Sequence, residues 1–578
     1  MNIVKFEFVC SRPVPLYAYL CNQYLDYPQL DITINVDCNR YVIEASGEQQ
    51  CLEQLADDIA THFLMSVWLQ DSSIALIEQR EGSQTAIPSP AAEMPFCEHC
   101  MPRFGDNQHA EFGQIGLVCT HCHGEQQLAD HLLAMTTDDL AAISKQLITN
   151  GQIALTEQLS LSMRPIHSDN RPALLVCNPN TINAQFHLSE RQVLALSSIE
   201  KPYITARPID AHPQLKQPLY DLCFASDRLL VIITEMLRQQ GLDWVFIDDK
   251  QRPEAMAFID NHWVEVNQNA SHSTEVCSKL KPLHDQACIA LPAGKNYLAK
   301  HQHDCYQVAR ATTIASLKLN DEEMARCAFN SVLLEHQIDK NAAQVFFSRD
   351  YGGQIHTLDS KKQSQLFFAL PELPLSGYEI YHQLEQSPQQ TVLHKFKQQF
   401  PHDYLRLLDL KLTAKRNSFS SLLAVSAVIL GLETDTLDST TLSDALIAAA
   451  LSHRGPNAPR VDFSLTRGEA HRSLNWCRML GSLISFRLAD DTPNSQQKLA
   501  FGIHDSFADY LANWIEHLDQ NVGVKHVAIT GNDWQNSMLA QRVQLRVGKN
   551  FKLITNQMLE LEGNNYAVGA LRLNKRRL

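Results

Sequence analysis

A chain of 578 residues is too long for one hydrophobic core, and roughly three or four domains are expected. Hydrophobic residues make up 44% and charged residues 20%, the balance of an ordinary globular protein. A net charge of −15 argues against broad nonspecific nucleic-acid binding, with a local basic groove left open.

Fifteen cysteines are present, but outside one central group of four they are scattered and give no disulfide framework. The start, Met1-Asn-Ile-Val-Lys-Phe-Glu-Phe8, lacks a basic stretch followed by a long apolar run, so no signal peptide is expected. No apolar run approaches ~18 residues, so no membrane span is expected. The expectation is a soluble protein of a reducing cytoplasm.

Residues 1–80 read as a small α+β unit. Ile3–Val9 alternates as a strand, Tyr41–Ala45 reads as another, and Leu52, Leu55, Ile59, Phe63 and Val67 recur at helical spacing between Gln49 and Trp68. Residues 81–95, with Gly82, Pro88, Pro90 and Pro95, form a linker. Then come Cys97-Glu-His-Cys100 and Cys119-Thr-His-Cys122, eighteen residues apart. Each CxxC turn brings two thiolates to one side, and two such turns close a tetrahedral Cys₄ shell for a structural zinc over residues 96–126. Such a shell is coordinatively full, so it speaks for folding and not for a reaction.

Beyond it, Thr136-x-x-Asp139 has the form of a capping box, with Leu140, Ile143 and Leu147 on one helical face and Gly151 as a stop. Gln152–Leu155, Ala173–Cys177 and Trp244–Ile247 read as strands alternating with helices, an α/β domain over 127–285. A larger α/β region follows over 286–578. Ser421–Leu432 is apolar nearly all round and should be a buried helix. Ile503, Phe507, Leu511, Trp514 and Leu518 form an amphipathic stripe. Val527–Gly531 reads as a buried strand, with a helix from about Trp534. The basic end, Lys575-Arg-Arg577, reads as a solvated tail.

The Cys-x-x-Cys-x₁₈-Cys-Thr-His-Cys stretch resembles one zinc module of the HypF-type carbamoyltransferases, which help build the cyanide ligands of [NiFe] hydrogenases. The resemblance implies a ferredoxin-like acylphosphatase-type domain, a Cys₄ zinc module, a YrdC-like α/β domain and a C-terminal domain of actin-like ATPase fold, here in a shortened, divergent chain with one zinc module. Ile32–Asn35 and Tyr41–Gly47 resemble acylphosphatase, and Asn35 falls where the water-positioning asparagine belongs. Pro15-Leu-Tyr17 replaces the phosphate-holding arginine, substitution by Arg12 from a shifted loop is the disfavoured alternative, and this domain reads as catalytically silent. Arg164 through Arg171-Pro172 resembles the basic lead-in that meets the phosphates of ATP. The family's lysine is replaced at Thr156, and its Ser-Gly-Asn turn by Asp248-Asp-Lys250, whose carboxylates oppose phosphate.

In the last domain the family's His-x-x-x-His pair matches Ala325-Arg-Cys-Ala-Phe329, and its two aspartates match Ala424 and Gly563. Gly294-Lys295-Asn296 resembles the first strand turn, His301-Gln-His-Asp304 the family's His-Ile-Gly-Asp, and Thr530-Gly531 through Asn536 the strand–turn–helix flanking the nucleotide. What the resemblance leaves for ATP is therefore Arg164, Arg171, Lys295, Asn296, Gly531 and Asn536. His301, His303 and Asp304 read as a solvated cluster in a loop, with a relocated metal site as the lesser alternative. Three functions follow: a scaffold or partner of a HypE-type maturation protein, an active ATP-dependent carbamoyltransferase using carbamoyl phosphate, or a module binding a nucleotide or double-stranded RNA.

Overall fold

The computed structural model describes residues 3–87, 94–165, 171–209, 214–267, 273–312, 316–467, 471–490 and 492–574. The Lys575–Arg577 tail and most of the Arg164–Arg171 segment lie outside them. The chain divides into two compact units, one of 1–168, 172–212 and 220–251, the other of 169–171, 213–219 and 252–578. No helix among the described residues is long and apolar enough to cross a membrane.

The first unit opens with a four-stranded antiparallel sheet in the order Asp31–Asp37, Arg40–Ser46, Ile3–Cys10, Leu69–Ile77. Helices Pro15–Tyr24 and Gln49–His62 complete the β-α-β-β-α-β pattern of a ferredoxin-like domain. The second helix stops at His62, short of Trp68, because Phe63 leaves helical geometry with φ −78° and ψ 76°. Tyr17, in helix Pro15–Tyr24, has a fully buried ring whose hydroxyl donates to the Leu64 carbonyl at 2.8 Å.

Helix Thr137–Asn150 begins at the expected capping box, with both reciprocal bonds formed between Thr136 and Asp139. It ends at Gly151 in the left-handed region, φ 77°. A mixed seven-stranded sheet follows, ordered 152–154, 159–162, 244–249, 173–176, 220–223, 204–208, 186–187. Glu200 ties this region to the first domain, accepting from Ser66 Oγ at 2.5 Å and the Val67 amide at 2.8 Å.

The second unit holds a seven-stranded sheet ordered 465–467, 472–474, 364–369, 352–358, 342–348, 526–530, 552–554. Strands Ala342–Ser348 and His526–Thr530 lie side by side and parallel within it, Phe346 opposite Thr530. A separate antiparallel sheet is ordered 274–277, 305–310, 296–302, 286–290. Helix Phe419–Leu430 is buried on every face, as its uniform apolarity predicts, and Gly431 at φ 72° ends it. The hairpin 257–259/262–264 belongs here because Ala257, Ile259, Val264 and Val266 sink into this unit's core. The Leu561 and Glu562 amides also donate to the Glu265 and Val266 carbonyls. From Arg252 onward the chain stays in the second unit.

Candidate metal centre and strand-end cleft

Cys97, Cys100, Cys119 and Cys122 converge, all buried, with their sulfurs within 4.8 Å of one another. The separations Cys97–Cys100, Cys97–Cys119 and Cys100–Cys122 are 3.9, 3.7 and 3.7 Å. A tetrahedron with metal–sulfur bonds of ~2.3 Å has edges of ~3.8 Å, so the four thiols fit one tetrahedral ion. Each CxxC turn is built locally. The Met101 amide donates to the Cys97 carbonyl and the His123 amide to the Cys119 carbonyl, at 2.9 and 3.1 Å. His123 turns the chain with φ 50°, and Gly124 lies so close to Pro95 that a Cβ would meet its carbonyl oxygen at 2.0 Å. Only glycine fits there.

One residue behind the cysteines was not legible from spacing. Arg228 opens helix Arg228–Gln239, and its guanidinium is wholly buried against the Cys₄ turns. Its Nε donates to the Pro95 carbonyl at 2.8 Å, and Nη1 to those of Ile115 and Leu117 at 3.1 and 2.6 Å. Nη2 approaches Cys100 Sγ at 3.9 Å and Glu125 at 3.6 Å. A tetrathiolate shell around a divalent ion carries two negative charges, and this cation stands beside them.

In the second unit, the parallel strands 342–348 and 526–530 end side by side, where ligands of open α/β sheets bind. The following turns interlock. The Arg349 amide donates to Asn532 Oδ1 at 2.8 Å, Arg349 Nη2 to Gln535 Oε1 at 2.6 Å, and Arg349 Nε stands 3.6 Å from Asp533. Glu562 closes the turn from the far end of the chain, accepting from Ser348 Oγ at 2.8 Å and the Asn532 amide at 3.1 Å. Burial, then the Asp350 charge, pushes its carboxyl well above the usual carboxylate range. Burial raises Asp350 and Glu254 as well. The cleft is thus lined by carboxylates as much as by cations.

The expected ATP residues fall in both units. Arg164 is exposed in the first unit, whereas Arg171 belongs to the second. There Arg171 is buried in a bidentate pair with Asp444, at 2.6 and 2.7 Å. Lys295 is half-buried, held below its ordinary value by burial and by Arg310, with the Glu254 and Glu560 charges opposing. Asn296 begins the strand Asn296–Gln302. Gly531 has φ 96°, and a Cβ there would meet the Phe347 carbonyl oxygen at 2.2 Å. Asn536 is buried, accepting from the Leu539 amide and donating to His504. The helix begins at Ser537, not Trp534, because Asn532–Gln535 forms a tighter turn that buries the Trp534 ring.

Ala325, Cys327, Ala328 and Phe329 lie in helix Asp321–Glu335, packed against helix Asn564–Ala570; a Cβ on Gly569 would meet the Cys327 carbonyl oxygen at 1.8 Å. His303 and Asp304 form a turn with φ 49° and 64°, and Asp304 pairs with Lys281. Among the described residues, only two groups could hold a metal: the four cysteines, and Glu275, Cys277 and Cys305.

Residues 387–569 match the second subdomain of the Kae1-like carbamoyltransferase domain. The chain is 22% identical to Protein HydE of Wolinella succinogenes over 430 residues, 71% of each protein. Its fold matches the crystal structure of full-length HypF in the phosphate- and nucleotide-bound form, with TM-score 0.60 and 10% identity over 98% of this chain and 97% of that one. It matches HypF of T. kodakarensis with TM-score 0.58 and 12% identity over 99% and 98%. Fold and site together define a multidomain α/β protein with a Kae1-like carbamoyltransferase domain of actin-like ATPase fold. Over nearly its whole length the chain has the fold of the HypF crystal structures, and residues 387–569 resemble the second subdomain of their Kae1-like carbamoyltransferase domain.

Proposed function

We propose that this protein acts in hydrogenase maturation as a HypF-like scaffold, docking a HypE-type partner in the cytoplasm, with a structural zinc in the Cys₄ shell and impaired carbamoyl transfer. The observation that carries the reading is a strand-end cleft whose named donors are already engaged within the chain. Carbamoyl phosphate and ATP chemistry both develop charge on phosphate, which needs cationic or metal donors aimed at it. Here Glu562 takes up the Ser348 hydroxyl and the Asn532 amide, Arg349 is held by Asn532, Gln535 and Asp533, and Asn536 is spent on His504 and a helix cap. Arg171 is consumed by Asp444.

Calorimetric titration of the metal-loaded protein with ATP, Mg²⁺ and carbamoyl phosphate, with pyrophosphate assayed in parallel, tests this. The expected result is neither binding nor turnover, with a partner still captured in the absence of nucleotide. Binding together with pyrophosphate release would replace the scaffold with an active carbamoyltransferase.

A further inference from the structure

We propose that Glu275, Cys277 and Cys305 form a second metal site, for a thiophilic divalent cation, that exists only while its two thiols are reduced. Strand Thr274–Cys277 pairs antiparallel with Cys305–Arg310, and the register sets Cys277 opposite Cys305 and Glu275 opposite Gln307. The intervening Val276, Tyr306 and Val308 are buried in the core, so the alternation turns Glu275, Cys277 and Gln307 to solvent. Most of the chain's other cysteines are buried, as the residue prefers. Of the two facing cysteines Cys277 is exposed and Cys305 half-buried, both outside the packed core, and their chemistry explains their placement better.

Two features make the trio a ligand set. The three ligand atoms lie within 4.8 Å of one another, with Cys277 Sγ 4.0 Å from the Glu275 carboxylate. Gln307 Nε2 donates to the second Glu275 oxygen at 3.2 Å, orienting the carboxylate from the opposite strand as outer-sphere residues do at metal sites. Two thiolates and one carboxylate select a soft or borderline ion such as Zn²⁺ or Cd²⁺, with water free to complete the shell.

The structure holds the two cysteines as a disulfide, with Cα atoms 4.3 Å apart. The site therefore has a closed state. A low-molecular-weight disulfide such as oxidised glutathione can produce it. One protein thiolate attacks the small disulfide and expels one small thiolate; the second protein thiolate then attacks the mixed disulfide and expels the other. Two electrons pass from the cysteine pair to the small disulfide, and the metal loses two ligands. The buried Cys₄ shell does not present its sulfurs to solvent in this way.

The test uses the full chain, loaded with zinc at the Cys₄ shell, under reductant and after oxidised glutathione. Cd²⁺ is titrated, thiolate-to-metal absorbance is followed, and total Zn²⁺ plus Cd²⁺ per chain is counted after gel filtration. The expected result is two ions per reduced chain and one per oxidised chain. Cys277→Ser should give one under both conditions, with unchanged thermal unfolding under reductant, and Glu275→Gln should weaken the second ion about tenfold. A single ion per reduced wild-type chain would overturn the proposal. So would a second ion that survives Cys277→Ser or oxidation; counting total metal separates both from simple exchange at the Cys₄ shell.

Discussion

The Arg228 guanidinium stands 3.9 Å from Cys100 Sγ while its other nitrogens hold the carbonyls of Pro95, Ile115 and Leu117. One side chain thus offers a counter-charge to any tetrathiolate shell that the four cysteines would form around a metal, and it fastens the cysteine turns to helix Arg228–Gln239. Arg228→Met keeps much of the volume and removes both services. The expected outcome is about ten- to hundred-fold weaker metal retention against a chelator. Three orphaned carbonyls should add a stability loss on the order of 3 kcal/mol. If chelator competition gives the wild-type affinity, the guanidinium is only a structural strut.

Arg171 and Asp444 form a second buried ion pair, each side chain 6% exposed. Asp444→Asn removes the carboxylate from a buried bidentate pair and should cost about 3–5 kcal/mol in urea unfolding. Replacing both partners, Arg171→Met with Asp444→Leu, should cost far less, because neither variant side chain needs a charge partner. A double variant as unstable as the single would show that the unit needs the charges themselves.

Helices Asp321–Glu335 and Asn564–Ala570 cross so closely that Gly569 has no room for a methyl group. In an exposed helix Gly→Ala stabilises by about 1 kcal/mol. Gly569→Ala should instead destabilise by about 1–3 kcal/mol, because the Cβ would drive into the Cys327 carbonyl. Thermal unfolding decides the sign, and a stabilised variant would mean the helices part more easily than this packing implies.

What was legible in the sequence was local. The Cys₄ shell, the Thr136–Asp139 capping box and the all-apolar helix ending at Gly431 each depend on residues a few positions apart, where spacing maps directly onto geometry. The strand His526–Thr530 was legible for the same reason, but the turn after it was not: the Trp534 ring is drawn into the core and delays the helix to Ser537. Arg171 read as a phosphate ligand from its neighbours, whereas its partner lies 273 residues away. Arg228 sat unnoticed at the head of an apolar helix, since nothing near it in the chain announces a metal centre. The Cys277–Cys305 pairing needed the strand register, which the scatter of cysteines did not disclose.

His504 makes the acid limb of stability testable. Its Nδ1 donates to the Ala500 carbonyl at 2.8 Å, and its Nε2 accepts from the Asn536 amide group at 2.9 Å, so the network holds one neutral tautomer. Full burial lowers its pKa to about 4, against an unfolded value of about 6.5. Between these values the unfolded chain binds a proton that the native state refuses, so stability rises with pH. The contribution is complete above pH ~6.5 and is lost as pH falls toward 4, by about 3 kcal/mol. Glu562 works in the opposite sense. Its raised pKa favours the neutral acid in the native state, so its contribution is present below the unfolded value of about 4.3 and is lost as pH rises. Urea unfolding at pH 4.5 and 7 should therefore show a smaller acid loss for His504→Gln than for the wild type. Glu562→Gln should gain on the wild type as pH rises. An acid loss in His504→Gln equal to that of the wild type would mean that the buried imidazole accepts its second proton freely, and that Asn536 turns its carbonyl oxygen toward the ring.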